Sequence, residues 1–351
     1  VSRIETFPEG NFLEFTRANE WGCDIFANET LANGTRAEVW DSGVIAFFPP
    51  ASVEPGNRDL VLSCAVHGDE TAPIEICDEL IEKLRSGELV PANRVLFLIA
   101  NPAAINIGER FVEENMNRLF SGAHSQEEGL INKERKRAKA IEGYVKRFFD
   151  SAPDGARERL HYDMHTAIRD SRHEKFAVYP HQNGRPYKKR QLQLLQAMGV
   201  STVLLHEGPT TTFSYFSVNE FEADAFTVEL GKVRPFGQND MTRFEAAKQT
   251  LIQLIVQHEP DLPEFSPEQH QIYRVLRSIN RNHNDFRLNF PDDVANFTSF
   301  PKGYELAYDG GTPVVVEQEG ESVIFPNANV ALGQRALLTV VQIPTTAIDL
   351  V

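Results

Sequence analysis

Apolar positions along the chain fall into two kinds of run, and their alternation predicts the architecture. Leu60-Val-Leu-Ser-Cys-Ala-Val66 is a continuous apolar run, preceded by Asn57, Arg58 and Asp59 and followed by His67-Gly68, which predicts a buried strand. From Thr71 the period changes: Ile74, Cys77, Leu80, Ile81 and Leu84 recur at helical spacing. A second apolar run starts at Arg94 and is stopped by Asn101-Pro102. Strand, helix and strand in that order predict a parallel crossover unit, and so an α/β fold.

Upstream, residues 12–15, 37–40 and 44–48, punctuated by Asn33-Gly34 and Asp41-Ser42-Gly43, read as short strands with hairpin turns. Downstream, residues 103–117 have weak periodicity and read as a long loop past a strand end, a place that often carries function. Residues 126–149 predict a helix, with Ile131, Ala138, Ile141, Tyr144, Val145 and Phe148 on one side. Its basic cluster over 133–139 reads as a solvated face. Strands are expected over 160–166, 175–179, 202–206 and 225–231, with a helix over 187–198. The first of these strands delivers His165 near its end and the last ends in Glu229. A helix over 240–258 closes this unit. The proline-rich stretch 259–267 is a linker, and the short runs among Gly, Asn and Asp turns from about Gln269 predict a small β-rich domain. The expected organisation is a catalytic unit over 1–258 and a linker with the small domain over 259–351.

Composition narrows the classes. At 351 residues the chain exceeds the usual size of one core, which fits a large domain with a small appended one. No run is long enough to span a membrane, and Val1-Ser-Arg-Ile-Glu-Thr-Phe-Pro8 does not read as a signal peptide. Cys23, Cys64 and Cys77 lack any paired spacing, and the last two fall in apolar patterns as small buried hydrophobes; a soluble protein of the reducing cytoplasm is expected. The net charge of −15 argues against nucleic acid as a partner. An anionic substrate would need arginines concentrated locally in the pocket. Nothing in the chain sets an oligomeric state.

The candidate chemistry collects where strands end. His67 and Glu70, an H-x-x-E pair, fall on the first strand-to-helix turn, at the carboxyl edge where open α/β sheets bind ligands. Either is common by chance. His165 adds a third donor, and two histidines with one carboxylate form the ligand set of hydrolytic zinc sites, with Glu229 left over as a base. Asp163 reads equally as an orienting partner of a ligand histidine or as a solvent-facing residue. His173 and His206 read as satisfied histidines rather than further ligands.

These residues in their local sequences, His67-Gly-Asp-Glu70, Arg110, Asn117-Arg118, D-M-H-T-A-I-R around His165 and V-E-L-G around Glu229, resemble the succinylglutamate desuccinylase and aspartoacylase family of the zinc carboxypeptidase superfamily. Within it the desuccinylase branch is the nearer match, through residues 165–174, residues 229–237, and F-P-N with G-Q-R-A near the carboxyl end. The resemblance implies a carboxypeptidase-like mixed sheet flanked by helices. It implies one Zn²⁺ per chain on His67, Glu70 and His165, with Glu229 as general base. It also implies hydrolysis of N2-succinylglutamate, a small anionic N-acyl amino acid, to succinate and glutamate in arginine catabolism. Arg110 would stabilise the oxyanion and Asn117-Arg118 would grip a substrate carboxylate, with Arg169 and Arg172 candidates for the remaining carboxylates. Aspartoacylases use an arginine shortly before the catalytic glutamate and a tyrosine from the carboxyl-terminal domain. Residues 208–228 contain no arginine and residues 325–333 no tyrosine, which counts against N-acetylaspartate. A deacylase for another N-acyl amino acid (aspartoacylase-like), a zinc carboxypeptidase acting on peptides and a catalytically silent binding module are the rival readings.

Overall fold

In the computed structural model, which describes residues 3–4, 6–25 and 27–351, one mixed sheet of 13 strands runs through the protein. Within it lies the strand Arg58–Cys64, buried at every position. This strand pairs in parallel with Arg94–Ile99 on one side and Glu158–Ala167 on the other. Asp224–Lys232 continues the parallel set beside Glu158–Ala167. The carboxyl ends of these four strands therefore share one edge. Phe176–Tyr179 joins Asp224–Lys232 antiparallel, and Thr202–Leu205 follows in parallel.

Both faces of the central strands are covered, which explains their unbroken apolar character. On one face Leu60, Leu62 and Phe97 pack with Ile74, Cys77, Leu80, Ile81 and Leu84 of the helix Thr71–Arg85. On the other, Val61, Leu96 and Leu98 meet Ala138, Ile141, Val145 and Phe148 of the helix Lys133–Asp150. Each such aliphatic side chain contributes roughly 1.5–3 kcal/mol when fully buried. All three cysteines are buried and free.

The carboxyl-terminal part is not hung on a separate sheet. Its strand Gln271–Asn280 pairs in parallel with Thr202–Leu205 and carries Arg335–Ile343, Ser322–Ile324 and Thr298–Ser299 outward. A second sheet of three strands, Arg287–Leu288, Glu305–Asp309 and Thr312–Val315, completes this β-rich part.

Several local expectations differ from the structure. Residues 12–15 belong to the helix Phe12–Ala18 rather than a strand, because the Asn11 side chain caps it by accepting from the Glu14 amide. Asn101-Pro102 starts a helix as well as ending a strand: Asn101 caps Pro102–Ile107 and the proline takes a first-turn position, where its missing N–H costs nothing. The helix expected from 126 begins at Lys133, where Asn132 caps it, and Ile131 stays exposed. The helix Phe213–Phe221 had no expected counterpart; seven of its nine residues are buried, so it lacks the polar face that produces a readable period. The basic cluster is only partly a solvated face. Lys133, Lys136 and Lys139 are exposed, but Arg135 and Arg137 are buried. Arg137 donates to Asp41 Oδ2 at 3.0 Å and to the carbonyls of Ala100 and Ser42. Among the described residues no helix is long and apolar enough to cross a membrane.

Candidate active site

The site is assembled on the turn after Arg58–Cys64. Ala65 there takes a left-handed φ of 58°, and the next residues pass close to the helix Pro102–Ile107. A Cβ at Gly68 would overlap the Ala104 backbone, so this approach needs glycine. The Gly68 amide also donates to the Arg110 carbonyl at 3.1 Å, tying the turn to the loop that carries Arg110.

That loop is held from below by Glu134. One carboxylate oxygen accepts from Asn101 Nδ2 and the Val112 amide, the other from the amides of Glu113 and Glu114, at 2.6–2.8 Å. Arg135 adds a two-pronged contact to Glu114 at 2.7 and 2.9 Å. Glu134 and Arg135, on the buried side of this helix, thus position the loop.

His67, Glu70 and His165 converge, with ligand atoms all within 4.8 Å of one another and all three side chains buried. His67 Nδ1 lies 2.9 Å from Glu70 Oε1, and His165 Nδ1 lies 3.0 Å from Oε2. Arg110 Nη1 reaches Oε1 at 2.9 Å and the Thr166 amide reaches Oε2 at 3.1 Å. The other ring nitrogens point outward to fixed acceptors. His67 Nε2 meets Asn115 Oδ1, an oxygen that also accepts the Asn117 amide. His165 Nε2 meets Asp163 Oδ2 at 2.7 Å. Each acceptor calls for a proton on Nε2 and leaves the Nδ1 lone pair facing Glu70, the arrangement that metal-binding histidines require. Asp163 is therefore the orienting partner, fully buried, and not a solvent-facing residue.

The Asp163 contact continues inward. Ser63 Oγ donates to Asp163 Oδ1 at 2.6 Å and lies 2.8 Å from His161 Nε2, and His161 Nδ1 lies 2.7 Å from Ser217 Oγ. Because the Ser63 proton goes to the carboxylate, His161 must donate through Nε2 and accept at Nδ1. The donors run from Ser217 through His161 and Ser63 to Asp163, whose other oxygen accepts from His165.

Burial, then the Arg110 charge, bring the His67 pKa down to about 4. Burial alone would raise Glu70, but the two imidazoles outweigh it and hold the carboxyl well below its usual range. At His165 burial is outweighed by Asp163 and Glu70, which push its pKa up; without a cation Nδ1 therefore also holds a proton, and a bound cation would take that proton's place. Two imidazole nitrogens and a carboxylate, oriented from behind, fit a divalent cation that accepts N and O donors.

Glu229 is the register partner of His165 on the neighbouring strand. It is buried, its Oε2 has no hydrogen-bond partner among the described residues, and burial raises its pKa to about 7 against the opposing pull of His165. These groups line a cavity of about 330 Å³. Asn117, Arg118 and Arg169 line it too. Asn117 Oδ1 accepts from the Phe213 amide at 3.0 Å, which locks the loop to the helix Phe213–Phe221. Arg118 Nη1 donates to the Asn117 carbonyl, and Arg169 Nε to the Pro326 carbonyl.

Arg172 is not brought to this wall. It is exposed, and its Nε donates to Thr298 Oγ1 at 3.3 Å. His173 meets the Tyr273 hydroxyl at 2.9 Å, whereas His206 lines the cavity. The residues that sequence reasoning missed are Asn115, the Ser63–His161 pair and Arg335, which enters the cavity from the β-rich part. Only Arg335 had a signal, the G-Q-R-A stretch, to which no role was attached.

A mixed α/β sheet carrying a buried His-Glu-His cluster at its carboxyl edge, closed by a β-rich part, defines a carboxypeptidase-like class of metal-site protein. The profile described as "Succinylglutamate desuccinylase/Aspartoacylase catalytic domain" matches residues 56–255, and that of the "AstE/AspA barrel-sandwich hybrid domain" matches residues 268–343. The chain belongs to the succinylglutamate desuccinylase/aspartoacylase family. It is 60% identical over 341 residues to the succinylglutamate desuccinylase of Idiomarina loihiensis, covering 97% of this chain and 98% of that one. The Shewanella piezotolerans succinylglutamate desuccinylase is 54% identical, over 93% and 94% of the two chains. The crystal structure of the Vibrio parahaemolyticus enzyme superposes with a TM-score of 0.82 at 35% identity, covering 96% of each chain.

Proposed function

We propose that this protein hydrolyses N2-succinyl-L-glutamate to succinate and L-glutamate, with one zinc ion per chain held by His67, Glu70 and His165. The observation that carries the reading is one cavity in which an oriented His-Glu-His cluster, a buried carboxyl whose Glu229 Oε2 has no partner among the described residues, and several guanidiniums face the same space. The names of the full-length relatives support the substrate.

Bound zinc would act as a Lewis acid and bring the pKa of a water towards about 7. The protein's own groups supply the rest. Glu229, next to His165, takes the water's proton and passes it to the departing amine; its raised pKa makes it able both to accept and to release. Arg110, already held at the cluster through Glu70, faces the negative charge that grows on the former carbonyl oxygen. Arg118 offers a carboxylate a planar two-pronged donor, with Arg169 as a further cation.

Residues 1–258 carry these catalytic groups, and residues 259–351 wall the cavity through Phe325, Pro326, Asn327 and Arg335. That wall favours a small acyl amino acid over a polypeptide. The three buried thiols suit a reducing, cytoplasmic setting. Release of succinate and glutamate from N-succinylglutamate, together with elemental analysis of the purified chain, tests the reading. No release by zinc-loaded protein would overturn it.

A further inference from the structure

The charge balance of the cavity is uneven. Two carboxylates line it, Glu70 and Glu229, against four guanidiniums, Arg110, Arg118, Arg169 and Arg335. Arg110 is paired with Glu70. Arg169 feels Asp292 and Asp293, whose charges oppose the effect of burial on it. Arg118 and Arg335 have no such relief. Among the described residues Arg118 makes one hydrogen bond, to a backbone carbonyl. The Arg335 guanidinium lies 5.8 Å from the centroid of the Phe325 ring and, among the described residues, has no carboxylate within ion-pair distance.

Arg118 also senses the charge of Arg335. Burial is the main cause that lowers Arg118 to about 9, and the Arg335 charge is the next. Burial and then Arg110 lower Arg335 to about 10. Bringing like charges into a desolvated pocket without an anion is unfavourable, and a carboxylate between them reverses the sign of the interaction.

The placement of Arg335 is built. It opens the strand Arg335–Ile343 opposite Asn280, and the loop before it is pinned by the Asn327 amide donating to the Ala336 carbonyl at 2.7 Å. Phe325, beneath it, has a left-handed φ of 53°, a conformation a phenylalanine keeps only when its surroundings enforce it. The buried Asn296 enforces it by accepting the Phe325 amide at 2.9 Å.

We infer that Arg118 and Arg335 together form a subsite for one carboxylate of the substrate, with Arg335 as a specificity determinant supplied by the β-rich part of the chain. Two planar forks can engage both oxygens of one carboxylate. The identity of the substrate rests on the proposed function; anion binding at the pair does not. The acyl carboxylate and the two glutamate carboxylates share this chemistry, so the test separates them.

Arg335→Ala, Arg335→Lys and Arg335→Gln would be prepared as full-length, zinc-loaded chains, with metal content and thermal unfolding as controls. KM and kcat would be measured for N-succinylglutamate and for analogues lacking one carboxylate each: N-acetylglutamate, N-succinylglutamine and N-succinylisoglutamine. Binding of succinate and of L-glutamate would be measured by calorimetry. Arg335→Ala is expected to raise KM for N-succinylglutamate tenfold or more with kcat changed less and zinc retained. The increase should vanish for the one analogue that lacks the gripped carboxylate. Lysine should restore part of the loss and glutamine less, since only lysine keeps the charge. If the wild-type protein cleaves none of these yet binds succinate or glutamate in an Arg335-dependent manner, the subsite stands and the reaction assignment falls. Unchanged KM and anion binding in folded variants, or an equal penalty on all four substrates, would overturn the subsite.

Discussion

Asp163→Asn isolates how the metal cluster is oriented. The carboxylate accepts two hydrogens, from Ser63 Oγ at 2.6 Å and from His165 Nε2 at 2.7 Å, and it is fully buried. An amide of the same shape can accept only on one side. If its NH₂ faces His165, the ring must carry its proton on Nδ1, the atom that faces Glu70 and the cluster. If it faces Ser63, the Ser63 proton must turn to His161 Nε2, which forces His161 into its other tautomer, and His165 keeps only a neutral acceptor. Either arrangement removes one buried charge-assisted hydrogen bond, worth about 1.5–3 kcal/mol. Because the loss falls on the orientation of a ligand, the metal dissociation constant should rise by roughly 10–100-fold. The assay is competition with a chromophoric chelator at fixed pH, with circular dichroism to confirm folding. Ser63→Ala should weaken metal binding in the same direction by a smaller factor, and Ser63→Thr, which keeps the hydroxyl, should recover much of it. A folded Asp163→Asn protein with the wild-type metal dissociation constant would refute the orientation argument.

Further outcomes follow from other parts of the site and the fold. Glu229→Gln should keep its metal and lose about 10²–10⁴ in kcat; loss of zinc in that variant would make Glu229 a ligand instead of a base. A base works only when ionised, so the acid limb of the wild-type kcat/KM profile should fall as pH drops through a value at or below about 7, since burial raises the Glu229 pKa to that level and a bound cation would pull it down. A profile flat to pH 4 would contradict this. Gly68→Ala should abolish metal binding or folding because its Cβ would overlap the Ala104 backbone, and a stable, metal-binding variant would show that the turn relaxes. Arg137→Ala should destabilise the fold by about 3–5 kcal/mol in urea unfolding, since it leaves the buried Asp41 without its cation. Lys136→Ala, on the exposed side of the same helix, should change stability by less than about 0.5 kcal/mol.

What the sequence determined by itself is what short-range physics encodes. The apolar run of Arg58–Cys64 and the helical spacing after Thr71 mark a strand and a helix because burial on two faces or on one leaves its own period. Residues at such junctions, His67 and Glu70, were legible for the same reason, and so were His165 and Glu229 on strands whose ends were expected to meet one edge. Distance across the chain has no such period. Arg118 and Arg335 are remote in sequence and share a cavity only because Gln271–Asn280 adds the β-rich part to the main sheet. Arg172, close in sequence to His165, is turned away to Thr298. Arg135 and Arg137 looked like a solvated face because composition records charge but not the Asp41 and Glu114 carboxylates that receive it. The helix Phe213–Phe221 was invisible because it is buried on nearly all sides and so has no polar stripe to mark it. Local patterns named the metal-site candidates, and only the packing of distant segments decided which cations face them and which side chains hold them in place.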